Sequence, residues 1–68
     1  MNLATFAANV RTARVAAEMT QEQVAEASGI HVTEVSRIER GLRDPRISTM
    51  MRLADALCVP PSQLIDGA

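Results

Sequence analysis

The segment from Thr20 to Gly41 holds two helix starts, each answered a few residues later by a glycine stop. Thr20-Gln21-Glu22-Gln23 fits a capping box, with the Thr20 hydroxyl at the N-cap and Gln23 at the third helical position. Met19 and Val24 occupy the two positions of a hydrophobic staple across that start. Ser28-Gly29 ends the helix early, and Gly29 stands where a helix end wants a left-handed residue. Ile30 and Val35 repeat the staple around a cap at His31, which opens a helix from Val32 to Arg40 with Val35 and Ile38 facing inward. Gly41 closes it. Helices this short are marginal alone, so the rest of the chain must supply the surfaces that bury them.

The flanking segments carry the right spacing. Leu3, Phe6, Val10, Ala13 and Ala17 recur at steps of three and four, the period of one helical face, behind an N-cap at Asn2. Gly41-Leu42-Arg43-Asp44-Pro45 reads as a loop. Ile47, Met50, Leu53, Ala54 and Leu57 mark the inner face of a fourth helix. Val59-Pro60-Pro61 breaks the chain again, and Pro61 suits the first turn of a short fifth helix holding Leu64 and Ile65. No strand pattern competes, and with Phe6 the only aromatic residue the composition also favours helices. The expected fold is all-α: a compact five-helix domain spanning residues 1–68. At 68 residues it would bury only about 60% of its unfolded surface, which leaves no room for a ligand chamber.

Charge is uneven along the chain. The total is −1, but the stretch 31–52 carries Arg37, Arg40, Arg43, Arg46 and Arg52 against Glu34, Glu39 and Asp44, a local balance of +2. Arginine offers a rigid donor fork suited to phosphates and guanine edges. Cys58 is the sole cysteine, so neither an internal disulfide nor a cysteine-based zinc cluster can form. His31 has no second ligand near it and reads as a cap; no metal and no cofactor are expected. No acid, base and nucleophile stand at workable spacing, so no enzymatic role is expected. Nothing resembles a leader or membrane span, and the expected location is cytoplasmic.

Two short helices joined by a tight glycine turn, buttressed on either side, form the helix-turn-helix unit in which the second helix enters the DNA major groove. Here the unit spans 21–41, with small Ala25 where the helices approach and Gly29 four residues later. The chain resembles the phage-repressor, Cro and XRE-type helix-turn-helix proteins, whose fold is the lambda-repressor-like type. The resemblance rests on Thr20-Gln21-Glu22-Gln23-Val24-Ala25, Ser28-Gly29-Ile30, Val35-Ser36-Arg37-Ile38-Glu39-Arg40-Gly41 and Arg52-Leu53-Ala54-Asp55-Ala56-Leu57. It implies base reading by Val32, Thr33 and Arg37, with Ser36 beside them reaching base or phosphate. Gln21, Arg43 and Arg46 would hold the DNA backbone, and Glu39 would pair with Arg14 to tie the first helix to the third. Arg40 is either a further backbone contact or a solvated helix end favoured by the dipole. Arg11 reads as surface.

Glu34 fits this picture least well. An acid facing DNA is repelled by phosphate unless it accepts from a cytosine amino group. The preferred reading keeps it structural, serving the helix start and holding Arg37 one turn on. Two positions depart from the family pattern. Cys58 stands where members usually carry glycine, at a cost of about 1 kcal/mol if it turns left-handed, and His31 stands where they carry a small hydroxyl residue. The implied function is a sequence-specific transcriptional regulator of double-stranded DNA: a repressor, an autoregulated switch or a restriction-modification controller. It would be prokaryotic or phage-encoded and nucleoid-associated, and would bind a palindromic operator as a homodimer joined through Cys58 to Ile65. The alternative is an antitoxin-like or protein-interaction module with the same fold and a protein partner.

Overall fold

A computed structural model describes all 68 residues. Five helices follow one another: α1 (Leu3–Ala16), α2 (Gln21–Ser28), α3 (Val32–Glu39), α4 (Ile47–Leu57) and α5 (Pro61–Leu64). There is no strand. The starts are capped as the sequence indicates. Asn2 accepts from the Thr5 N–H at 3.1 Å, both halves of the Thr20/Gln23 capping box are made, and the His31 imidazole Nδ1 accepts from the Thr33 N–H at 3.1 Å. His31 thus does the work of the smaller hydroxyl cap.

Three helix ends share one device. The N–H groups of Met19, Leu42 and Val59 reach back five residues to the carbonyls of Arg14, Arg37 and Ala54. Each closure places the residue before the donor in the left-handed region: Glu18 at φ 56°, Gly41 at φ 73° and Cys58 at φ 56°. This is the Schellman arrangement, which satisfies carbonyls that a helix end leaves free. Only one of the three uses glycine. A Cβ at Gly41 would sit 3.6 Å from the Leu3 carbonyl oxygen, so α1 and the end of α3 meet backbone to backbone there. Cys58 accepts the left-handed geometry in place of the family's usual glycine, at about 1 kcal/mol.

The core comprises Phe6, Val10, Ala13, Val24, Ile30, Val35, Ile38, Leu53, Ala54, Leu57 and Leu64, with Met19, Ala25, Met50, Val59 and Ala68 against it. α2 packs on α3 and α4, α1 on α3 and α5, and α4 on α5. Three expectations need correcting. Ile47, placed on the inner face of α4, is 78% exposed. It is the first helical residue, and the apolar face finds partners only from Met50 onward. Ala17 is exposed because α1 ends at Ala16, while Ala7, outside the expected set, is buried. Arg40 caps α3 rather than belonging to it, since the Gly41 turn begins one residue sooner than the spacing suggests. No helix is long and apolar enough to cross a membrane.

Candidate nucleic-acid interface

α2 and α3 are joined by Gly29, Ile30 and His31. Ser28 stiffens the join: its hydroxyl donates to the Ala25 carbonyl at 3.3 Å and accepts from the Ile30 N–H at 3.2 Å. Ile30 is then drawn into the core, which sets the direction in which α3 leaves the turn. Val35, Ile38 and Glu39 form the buried side of α3. Val32, Ser36 and Arg37 are half-buried, and Thr33 and Arg40 are exposed. Thr33 and Arg37 lie one turn apart, as do Val32 and Ser36, so the four make a continuous outward strip over the first two turns.

The inward side of α3 ends on a carboxylate. Glu39 is 2% exposed, and its two oxygens are spoken for by three donors. Arg14 donates from Nε to Oε2 at 2.7 Å and from Nη2 to Oε1 at 3.1 Å, a forked ion pair across α1 and α3. Gln21, the first residue of α2, donates from Nε2 to Oε1 at 3.3 Å. The third guanidinium nitrogen, Nη1 of Arg14, donates to the Met19 carbonyl at 3.0 Å, so the same arginine also fastens the α1–α2 connection. Arg11 is exposed, as expected, and from the surface donates from Nη1 to the backbone carbonyl of Glu39 at the edge of this node. Every buried side-chain nitrogen and oxygen in the chain has a partner.

The hydrogen bond from Arg14 to Glu39 pushes the Arg14 guanidinium above arginine's ordinary pKa; burial opposes this, and the charges of Glu39 and Glu22 add to it. A raised pKa in a basic group contributes stability that is present below the unfolded value and lost only as pH rises through the folded one. That window lies beyond ordinary handling, so Arg14 remains charged throughout.

At the other end of α3, Glu34 is paired, but not with Arg37. Its Oε1 accepts from Arg43 Nε at 3.1 Å, across the loop between α3 and α4. The expected link to Arg37 is absent because Arg37 is left to the outward strip, while the Gly41 turn folds Arg43 back over the first turn of α3. The chain has only these two ion pairs, so the guanidinium groups of Arg37, Arg40 and Arg46 are free of carboxylates. Arg46 stands at the N-cap of α4 without a capping hydrogen bond.

The structure therefore gathers Val32, Thr33, Ser36 and Arg37 on α3, brings Arg43 beside its start, and leaves Arg46 at the head of α4. It places Gln21, Arg14 and Glu39 together underneath. Sequence reasoning placed Arg11 on the surface but missed its hydrogen bond to α3, although its spacing three residues before Arg14 puts both toward the side of α1 that meets α3. No cluster of three or more His, Cys, Asp or Glu side chains is positioned to hold a metal ion.

The model of the helix-turn-helix family HTH_3 matches residues 10–64. The control protein C.SmaI of Serratia marcescens is 45% identical over 52 residues, which is 76% of this chain and 62% of that protein. The chain thus spans less than two thirds of that relative's length. The control protein C.BamHI of Bacillus amyloliquefaciens is 36% identical over 62 residues, covering 90% of this chain and 76% of that protein. Among solved structures, the restriction-modification controller protein C.AhdI from Aeromonas hydrophila superposes with a TM-score of 0.89 at 34% identity, covering 91% of this chain and 94% of that one.

Proposed function

The chain belongs to the helix-turn-helix family HTH_3, and from that premise we propose that it is a sequence-specific DNA-binding transcriptional regulator of the restriction-modification controller type. The observation that carries the proposal is the two-sidedness of α3: one side is fixed to the scaffold through Val35, Ile38 and Glu39, and the other offers Val32, Thr33, Ser36 and Arg37 outward. Arg37, with no carboxylate on it, pairs with the O6 and N7 of guanine; Val32 and the Thr33 methyl meet thymine methyl groups; Ser36 bonds base or phosphate. Gln21, Arg40, Arg43 and Arg46 hold phosphates and set the register, as such contacts generally do. Gln21 has a second task, since its amide also braces Glu39.

One domain reads few base pairs. A homodimer would place two α3 helices about one DNA turn apart, ~34 Å, over a palindromic operator. The surface toward the C-terminal part suits the seam. Ile65 is 44% exposed and Met51 53%, and Met51 also lines a shallow groove with Arg52, Ala54, Asp55, Val59 and Pro61. With a net charge of −1, attraction to DNA must come from the arginine-bearing face, so affinity should fall steeply with added salt.

Selection of bound duplexes from random sequence, together with the mass of the protein in solution and on DNA, tests the reading. The expected result is a palindromic sequence bound by a dimer. Recovery of no preferred sequence would overturn it.

A further inference from the structure

Arg43 is exposed on an irregular loop, and a flexible arginine there would have many orientations. Its only hydrogen bond within the chain runs from Nε to Glu34 Oε1. Both terminal amino groups are unused, and the side chain is 46% exposed. A guanidinium held by its Nε–H presents its Nη edge away from the holding group, because the five donors lie in one rigid plane. Glu34 is itself fixed as the third residue of α3, in the helix that carries the outward strip.

We propose that Glu34 is a positioning residue for Arg43, orienting the guanidinium so that its two amino groups meet one DNA phosphate beside the start of α3. The proposal rests on the DNA-binding reading above and goes beyond it in giving the awkward acid a task. Glu34 neither reads cytosine nor merely repels the backbone. It fixes the direction of a phosphate contact and thereby the register in which Thr33 and Arg37 meet the bases. Preorganising a side chain in its bound geometry removes an ordering cost that binding would otherwise incur.

The sign of one mutation separates this from simple electrostatics. Removing an acid near phosphates should tighten DNA binding if charge alone matters. If Glu34 orients Arg43, Glu34→Ala instead weakens binding to the duplex selected by the wild-type chain by about two- to fivefold, the scale of an exposed ion pair. Glu34→Gln keeps an acceptor for Nε–H and should restore most of the loss. In an Arg43→Ala background the effect of Glu34→Ala should vanish or reverse to a gain, since only the repulsion remains. Tighter binding by Glu34→Ala in both backgrounds overturns the proposal. So does a changed base preference that persists without Arg43, which would make Glu34 a reader of bases. If Arg43→Ala alone leaves affinity for selected and scrambled duplexes intact, the placement of Arg43 on DNA fails and the positioning role with it. If the wild-type chain selects no sequence, the failure lies with the DNA-binding reading.

Discussion

α3 carries an arginine–glutamate pair at each end, and the two differ in burial and in how many guanidinium donors they engage. Glu39 and Arg14 are 2% and 19% exposed, at 2.7 Å, with Gln21 and Arg11 completing the site. Glu34 and Arg43 are 33% and 46% exposed, at 3.1 Å, through one bond with nothing else attached. The buried pair satisfies every donor and acceptor within reach and so belongs to the fold. The exposed pair leaves two amino groups unspent, which is what the proposed phosphate contact would use. Surroundings, not residue type, decide which pair is structural.

The comparison is most exposed to failure at Arg14. Arg14→Ala leaves Glu39 buried with only the Gln21 amide on its side chain, and removing one member of a buried pair typically costs 3–5 kcal/mol. The expected loss here is about 3 kcal/mol by urea unfolding, a large share of the stability of a domain this small. A loss below ~1 kcal/mol would mean the two pairs do not differ in kind. Between the two ends sits Arg37, in neither pair. Arg37→Ala should cost about 1–3 kcal/mol of discrimination between selected and scrambled duplexes, read by competition binding, with unfolding stability nearly unchanged. Gln21→Ala sharpens the account of the buried end: loss of one long hydrogen bond to a carboxylate should lower stability by about 1 kcal/mol in the same urea measurement. At the exposed end the expectation is nearly nothing. Glu34→Ala should shift the unfolding free energy by no more than about 0.5 kcal/mol, in contrast to the roughly two- to fivefold loss of DNA binding expected from the proposed positioning role.

All five helices were legible because their signals are local. The Thr20/Gln23 box, the two staples and the glycines at 29 and 41 each act within one or two turns. The buried pair was named through the family resemblance rather than through spacing. The partner of Glu34 escaped because Arg43 lies nine residues on, across a loop with no period, while Arg37 one turn away satisfies the simple helical rule. The hydrogen bond of Arg11 escaped for another reason: its acceptor is a backbone carbonyl, which any residue at position 39 would offer. Ile47 shows the limit of periodicity itself. A stripe gives the phase of a helix face but not how far along that face another element extends. Cys58 shows the reverse case. The resemblance flagged glycine as usual there, and the chain adopts the left-handed turn regardless, with the closing bond from Val59 to Ala54 intact at 3.0 Å.

The placement of α1 has a consequence for how the molecule folds. Phe6 and Val10 are wholly buried, and α1 packs chiefly on α3 and α5, elements distant from it in the chain. Asn9 makes the same point at atomic scale, donating to the carbonyls of Leu64 and Asp66 at 2.9 Å, 55 and 57 residues away. The cover of α1 is therefore assembled from elements far along the chain, α3 first and α5 last. The contacts with α5 and the bonds of Asn9 close loops among the longest in the fold, and drawing such loops shut costs more chain entropy than closing short ones.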